Sequence, residues 1–342
     1  MDRVRRGGQG LTSDRTPRAF VLRSDAGLEA TILDWGATLA RLRAPDRAGR
    51  PADVVLGFDD LRAYRGAHHR LGAVIGRFAN RIAGARFALD GREHRLVAND
   101  GPHCLHGGAV GFDRVFWEVE AAGDAVVALR LASPDGDQGF PGALDVRVEY
   151  RLAGTALSFG VRAETSAPTV VSVTNHAYWN LQDGGGSAVL DHRLQISAER
   201  YAPVRADGIP TGALEPVADT ALDFRALRAI GERIAALVPS RGGYDHPFAL
   251  DGPGGVAARL VAPRSGRVLT IRTTLPCLQL YSGSAFDGSR AFRAGVATPR
   301  FGVVALETQH FPNAPNEPRF PSARLDPGAT YAHETVYELG SD

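Results

Sequence analysis

The chain has 342 residues and a formal net charge of +1, with 39 basic against 38 acidic side chains, so it lacks the field that gathers nucleic acid or an anionic membrane and suits a small, near-neutral partner. Every basic residue is arginine, which excludes chemistry needing an amine at the reacting centre, such as a pyridoxal Schiff base, a lysine aldolase or a Walker-A kinase. No apolar run reaches membrane-spanning length and the opening MDRVRRGGQG has no apolar stretch behind it, so the sequence reads as cytoplasmic, with Cys104 and Cys277 as free thiols.

Residues 1–17 are rich in Arg, Gly and Ser without periodicity and read as a tail before one domain spanning 18–342. Short segments with alternating or continuous apolar residues then recur between turn signals. They predict strands at 19–23, 28–33, 38–44, 86–89 and 95–97, with Asp90-Gly91 as a two-residue hairpin turn. Residues 125–131, 144–152 and 156–163 continue as an antiparallel meander. Further strands are expected at 169–174, 190–196, 257–262, 267–273, 278–281, 301–306 and 331–339. Helical spacing occurs only at 59–64 and 224–237. So many strands, with 40 glycines and 21 prolines, predict an all-β protein, a large antiparallel β-sandwich with one or two short helices.

Five segments set dense hydrogen-bonding residues beside these strands: GRFANRIAGARF from Gly76, GPHCLHGG from Gly101, TNHAYWNL from Thr174, GGYDHPF from Gly242, and LETQHFPNAPNEPRF from Leu306. In the last, Glu307 is expected at the end of strand 301–306, where prolines 312, 315 and 318 keep the following loop irregular. Taken singly, each segment has an ordinary explanation. Asn175 and His176 can cap, Asp245 suits a turn, and His103 with His106 lacks a third metal ligand and sits among glycines, so no metal is expected. Together they offer carboxylates, imidazoles, an arginine and amides, with Tyr178, Trp179 or Phe286 as an apolar ring face. That mixture fits a neutral polyol such as a sugar, and nothing in it calls for a cofactor.

The wording and order of GRFANRI, NDGPHCLHGG, GFDRVFW, SPDGDQGFPG, TNHAYWNL, GGYDHPF, LQLYSGS and ALETQHFPNAPNEPRFP resemble the aldose 1-epimerases, also called galactose mutarotases, from about Leu28 to Tyr337. The resemblance implies the galactose mutarotase-like supersandwich and interconversion of α and β anomers of free hexoses by acid–base ring opening. It implies Glu307 as base, from the ETQ motif, and His176 as acid, from the TNH motif. Asn80, Arg81, His106, Asp245, Gln279 and Tyr178 are expected to hold the sugar. Trp179 stands where many relatives have phenylalanine and Pro247 where asparagine is common, which bears on sugar preference. The partner implied is a small aldose, and the protein is expected as a monomer or homodimer. Two other readings stay open: a non-catalytic sugar-binding module of the same fold, and a glycoside hydrolase using Asp245 and Glu307.

Overall fold

A computed structural model describes residues 15–66 and 69–342. Alternation of apolar and polar residues does most of the building. Leu144–Ala153 and Ala156–Thr165 each bury every second side chain, as a strand with one dry and one wet face must. They lie in a nine-stranded sheet that runs, edge to edge, through Glu118–Ala122, Val126–Ser133, Leu144–Ala153, Ala156–Thr165, Tyr331–Ser341, Arg267–Thr273, Val256–Val261, Arg193–Ile196 and Arg228–Ala229. A six-stranded sheet contains Tyr178–Trp179, Val304–Gln309, Cys277–Tyr281, Asp245–Ala249, Arg200–Tyr201 and Glu215–Pro216, in that order. Neighbours in both sheets are antiparallel. One apolar cluster joins Val146, Val148, Tyr150, Leu157 and Phe159 of the larger sheet to Leu278, Leu280, Val304 and Leu306 of the smaller, which makes the pair a sandwich.

The hairpin turn at Asp90-Gly91 forms as expected, with both residues at positive φ, but its second strand is Arg92–Arg95 and not 95–97, because the two-residue turn sets pairing at once. Both cysteines are buried, unpaired thiols. Among the described residues no helix is long and apolar enough to cross a membrane. Of the expected tail, residues 1–14 lie outside the described residues, whereas Arg15 and Arg18 both reach the buried carboxylate of Asp34, at 2.5 and 2.9 Å.

Three other expectations need correction. Residues 59–64 give only a 3₁₀ turn, Leu61–Arg65, whose cap Asp60 accepts a hydrogen bond from the Arg62 N–H. Residues 224–237 form no continuous helix. Arg228–Ala229 pairs with Arg193 and Leu194, Ile230 and Gly231 donate to the carbonyls of His192 and Leu190, and two 3₁₀ turns, Ile230–Glu232 and Ile234–Ala236, lead into the four-residue helix Val238–Arg241. Sheet pairing has overridden local helical spacing. Glu307 does not end its strand either, because Val304–Gln309 continues two residues past it.

The smaller sheet has two faces by parity. Leu278, Leu280, Val304 and Leu306 point into the sandwich core, so Gln279, Tyr281, Ala305 and Glu307 point the other way. Loops from the first half of the chain cover that outer face, and Arg77 braces them: its buried guanidinium donates to the carbonyls of Ser133, Pro134, Pro141 and Gly142 and to Ser133 Oγ. Gly72 holds the cover to the sheet. Its N–H donates to the carbonyl of His176 and its carbonyl accepts from Leu39 N and from Asn175 Nδ2. At φ +64° any Cβ would lie 2.0 Å from the Leu39 carbonyl oxygen. Gly72→Ala is therefore expected to cost about 2 kcal/mol or more in urea unfolding, and loss of well under that would mean the contact relaxes freely.

Candidate active site

The polar segments meet because their backbones pair with one another. Thr174–Asn175 pairs with Val74–Ile75, Arg81–Ile82 with Cys104–Leu105, and Tyr178–Trp179 with Val304 and Ala305. In the sheet itself Gln279 lies opposite Glu307 on one side and Pro247 on the other. These pairings bring His176, His106, Arg81, Tyr178, Asp245, Gln279 and Glu307 to the covered face. Gly107 permits the tight approach, since a Cβ there would stand 2.0 Å from the Gly76 carbonyl oxygen.

Glu307 is 2 % exposed, and its Oε2 lies 3.7 Å from His176 Nε2. Among the described residues that Oε2 accepts no hydrogen bond, although it is fully enclosed. Burial, then the negative charge of Asp245, push the Glu307 carboxyl up to about 8, while Arg70 and Arg81 pull it back. The result is a carboxylate that binds a proton near neutral pH.

His106 stands beside the pair, with its ring centroid 5.4 Å from that of His176. Its Nδ1 accepts the Asn80 backbone N–H at 3.1 Å. The neutral ring therefore carries its proton on Nε2, and burial holds the group well below the usual histidine range, so it stays neutral. Candidate ligand atoms of His106, His176 and Glu307 lie within 4.8 Å of one another. A metal-bound histidine, however, donates from its other nitrogen to a carbonyl or carboxylate. Here that nitrogen accepts, which makes His106 a donor toward the site. His103 is elsewhere engaged: its Nδ1 accepts from Gly84 N–H and its Nε2 faces Asp207 at 3.5 Å.

Asp245 has both oxygens engaged, Oδ1 by Gln279 Nε2 at 2.7 Å and Oδ2 by Arg241 Nη2 at 2.6 Å. Gln279 Oε1 is buried with no donor among the described residues. Arg81 is fixed by Asp100 at 2.7 Å, and Asn80, at positive φ, turns its side-chain oxygen to the Arg81 N–H. Tyr178 lies on the site face, with its ring 4.8 Å from that of His176, and Phe286 packs edge-on behind it. Trp179 does not line the site. One residue further along the strand, it points into the core against Tyr337, so its exchange for phenylalanine concerns packing and not the sugar. Pro247 shares the face of Gln279 and Asp245.

Two residues escaped the reading of the sequence. Arg70, in the segment that carries Gly72 onto the His176 backbone, reaches toward buried Asp113, with Nε 3.5 Å from Oδ2. Its charge bears on Glu307, His106 and Tyr178 together. Arg241 is the other. Each is a lone arginine among 39 basic residues, and no spacing singles it out.

Comparison with known proteins places the whole chain in a family. Residues 18–338 match the family model described as Aldose 1-epimerase. The chain is 42 % identical over 326 residues to the galactose mutarotase of Homo sapiens, covering 95 % of this chain and 94 % of that protein. It is 40 % identical over 338 residues to the aldose 1-epimerase of Escherichia coli, covering 96 % and 97 %. The crystal structure of a GalM/aldose epimerase homologue from C. elegans superposes with a TM-score of 0.87 at 31 % identity, covering 95 % of this chain and 99 % of that one.

The dry carboxyl has a consequence for stability. Below its ordinary value of 4.5 Glu307 is protonated folded or unfolded; between there and about 8 only the folded chain keeps the proton, so folded stability falls as pH rises through that window. Glu307→Gln lacks this loss. Urea unfolding at about pH 5 and about pH 9 should show the variant gaining several kcal/mol relative to wild type at the higher pH, and a pH-independent difference would mean that Glu307 is not raised.

Proposed function

The chain belongs to the aldose 1-epimerase family and is an isomerase that interconverts the anomers of aldoses, and we propose that Glu307 and His176 are the pair that moves the two protons. The observation that carries this is the 3.7 Å separation of Glu307 Oε2 and His176 Nε2, both buried. The two oxygens of a hemiacetal sit on one carbon, so the groups that serve them must stand only a few ångströms apart.

Glu307, ionised, takes the proton of the anomeric hydroxyl while protonated His176 gives one to the ring oxygen, and the bond from C1 to that oxygen breaks. The aldehyde turns about its bond to C2, and both transfers run backwards on the other face. His106 Nε2–H donates to the oxygen on which charge develops, as a fixed neutral donor. Asp245, Gln279, Arg81 and Asn80 hold the hydroxyls distant from C1, and Tyr178 offers its ring. No step leaves a net proton or electron. The substrate is a free hexose of the glucose or galactose type, and the enzyme works in the cytoplasm as a monomer or homodimer. With both its oxygens occupied by Arg241 and Gln279, Asp245 serves as a holder of the sugar.

Polarimetry of freshly dissolved α-glucose or α-galactose tests the pair. Glu307→Gln and His176→Asn should each lower kcat by about 10²- to 10⁴-fold. The wild-type kcat/KM should rise as pH approaches about 8, where the Glu307 carboxyl ionises, and this rise should vanish in Glu307→Gln. A wild-type rate in either variant removes that residue from the chemistry.

A further inference from the structure

Arg241 ends the short helix Val238–Arg241, where Gly242, in the left-handed region, turns the chain back toward the sheet and leads into Asp245. Its guanidinium is fixed twice. Nη2 donates to Asp245 Oδ2 at 2.6 Å and Nη1 to the Ala206 carbonyl at 3.0 Å. Gly208, two residues after Ala206, closes over the same guanidinium: a Cβ there would lie 3.1 Å from Arg241 Nη2 and 3.0 Å from Arg81 Nη1. One glycine turn thus covers two site arginines, each paired with its own carboxylate, Arg81 with Asp100 and Arg241 with Asp245.

We propose that Arg241 is a positioning residue for the epimerase reaction: by fixing Asp245 Oδ2 while Gln279 fixes Oδ1, it aims that carboxylate at the sugar and screens its charge from Glu307. The inference rests on the function proposed above. Two separate effects follow from one contact. The first is geometric. An aspartate anchored at only one oxygen can rotate, so the hydroxyl it meets is held less well and binding weakens. The second is electrostatic. Asp245 is the charged neighbour that most raises the proton affinity of Glu307, so removing the cation that faces Asp245 strengthens its action on Glu307. The other charges near Glu307 are Arg70 and Arg81, which act in the opposite sense, and the protonated ring of His176 at 3.7 Å, which acts in that sense too; all three stay in place.

The test compares wild type, Arg241→Leu, Arg241→Gln and Arg241→Lys by polarimetry on galactose and glucose across pH, with urea unfolding of each protein as the check on folding. Arg241→Leu is expected to raise KM by about 10- to 100-fold, with a smaller fall in kcat. It should also move the rise of kcat/KM with pH upward by roughly half a unit to one unit. Arg241→Gln, which keeps a donor without the charge, should show the same pH displacement with a smaller change in KM. Arg241→Lys, which keeps the charge without the fork, should leave the pH rise near its wild-type position. Should the leucine variant not fold, the glutamine and lysine variants decide the matter between them. Folded variants with wild-type KM and an unmoved pH rise would overturn the proposal. Failure of the underlying reading looks different: Glu307→Gln would then turn over like wild type, whatever Arg241 does.

Discussion

The structure turns on keeping one carboxylate dry in the middle of a sheet. Glu307 lies between Leu306, which faces the sandwich core, and Thr308, whose hydroxyl meets Thr335 at 2.6 Å, so the strand itself has no freedom to carry the glutamate out to water. Desolvation is the first cause of its raised proton affinity, ahead of any charge. An ionised group in such a place is tolerated only where compensating charge and donors are near. Arg70 and Arg81 supply part of that compensation.

The two halves of the chain divide the work. The second half supplies the rigid ruler, the strands Cys277–Tyr281 and Val304–Gln309, whose register fixes Gln279 opposite Glu307. The first half supplies the cover, in which glycines at 72 and 107 bring backbone against backbone and so place His106 and Arg81 over the strand. His106 illustrates how a backbone group sets chemistry: the Asn80 N–H decides which ring nitrogen bears the proton, and with it whether the imidazole gives or receives a hydrogen bond.

The sequence was most readable where strands are long. Leu144–Ala153 and Ala156–Thr165 show period two over ten residues each, and the fold class follows from such runs. The smaller sheet was legible only in part, because Tyr178–Trp179 is too short to have a period and Asp245–Ala249 carries a proline and a histidine that read as loop. Parity was the hidden variable at Tyr178 and Trp179: adjacent aromatics look equivalent in one dimension, yet one faces the site and the other the core. The polar segments pointed to a sugar site by their chemistry. Assigning individual residues drew on the family resemblance, and Arg70 and Arg241 stayed invisible since neither belongs to a segment that stands out.

Apart from the imidazoles, the cations described around this site are guanidinium groups, Arg70, Arg81 and Arg241, in a chain that has no lysine. An ammonium shifted by burial can shed its proton within the working range, whereas a guanidinium keeps its charge there. By that general property a frame of guanidinium groups answers less to acidity than a lysine-lined pocket would. Whatever the site senses of the surrounding medium is sensed by its carboxyl and imidazole groups against a constant background.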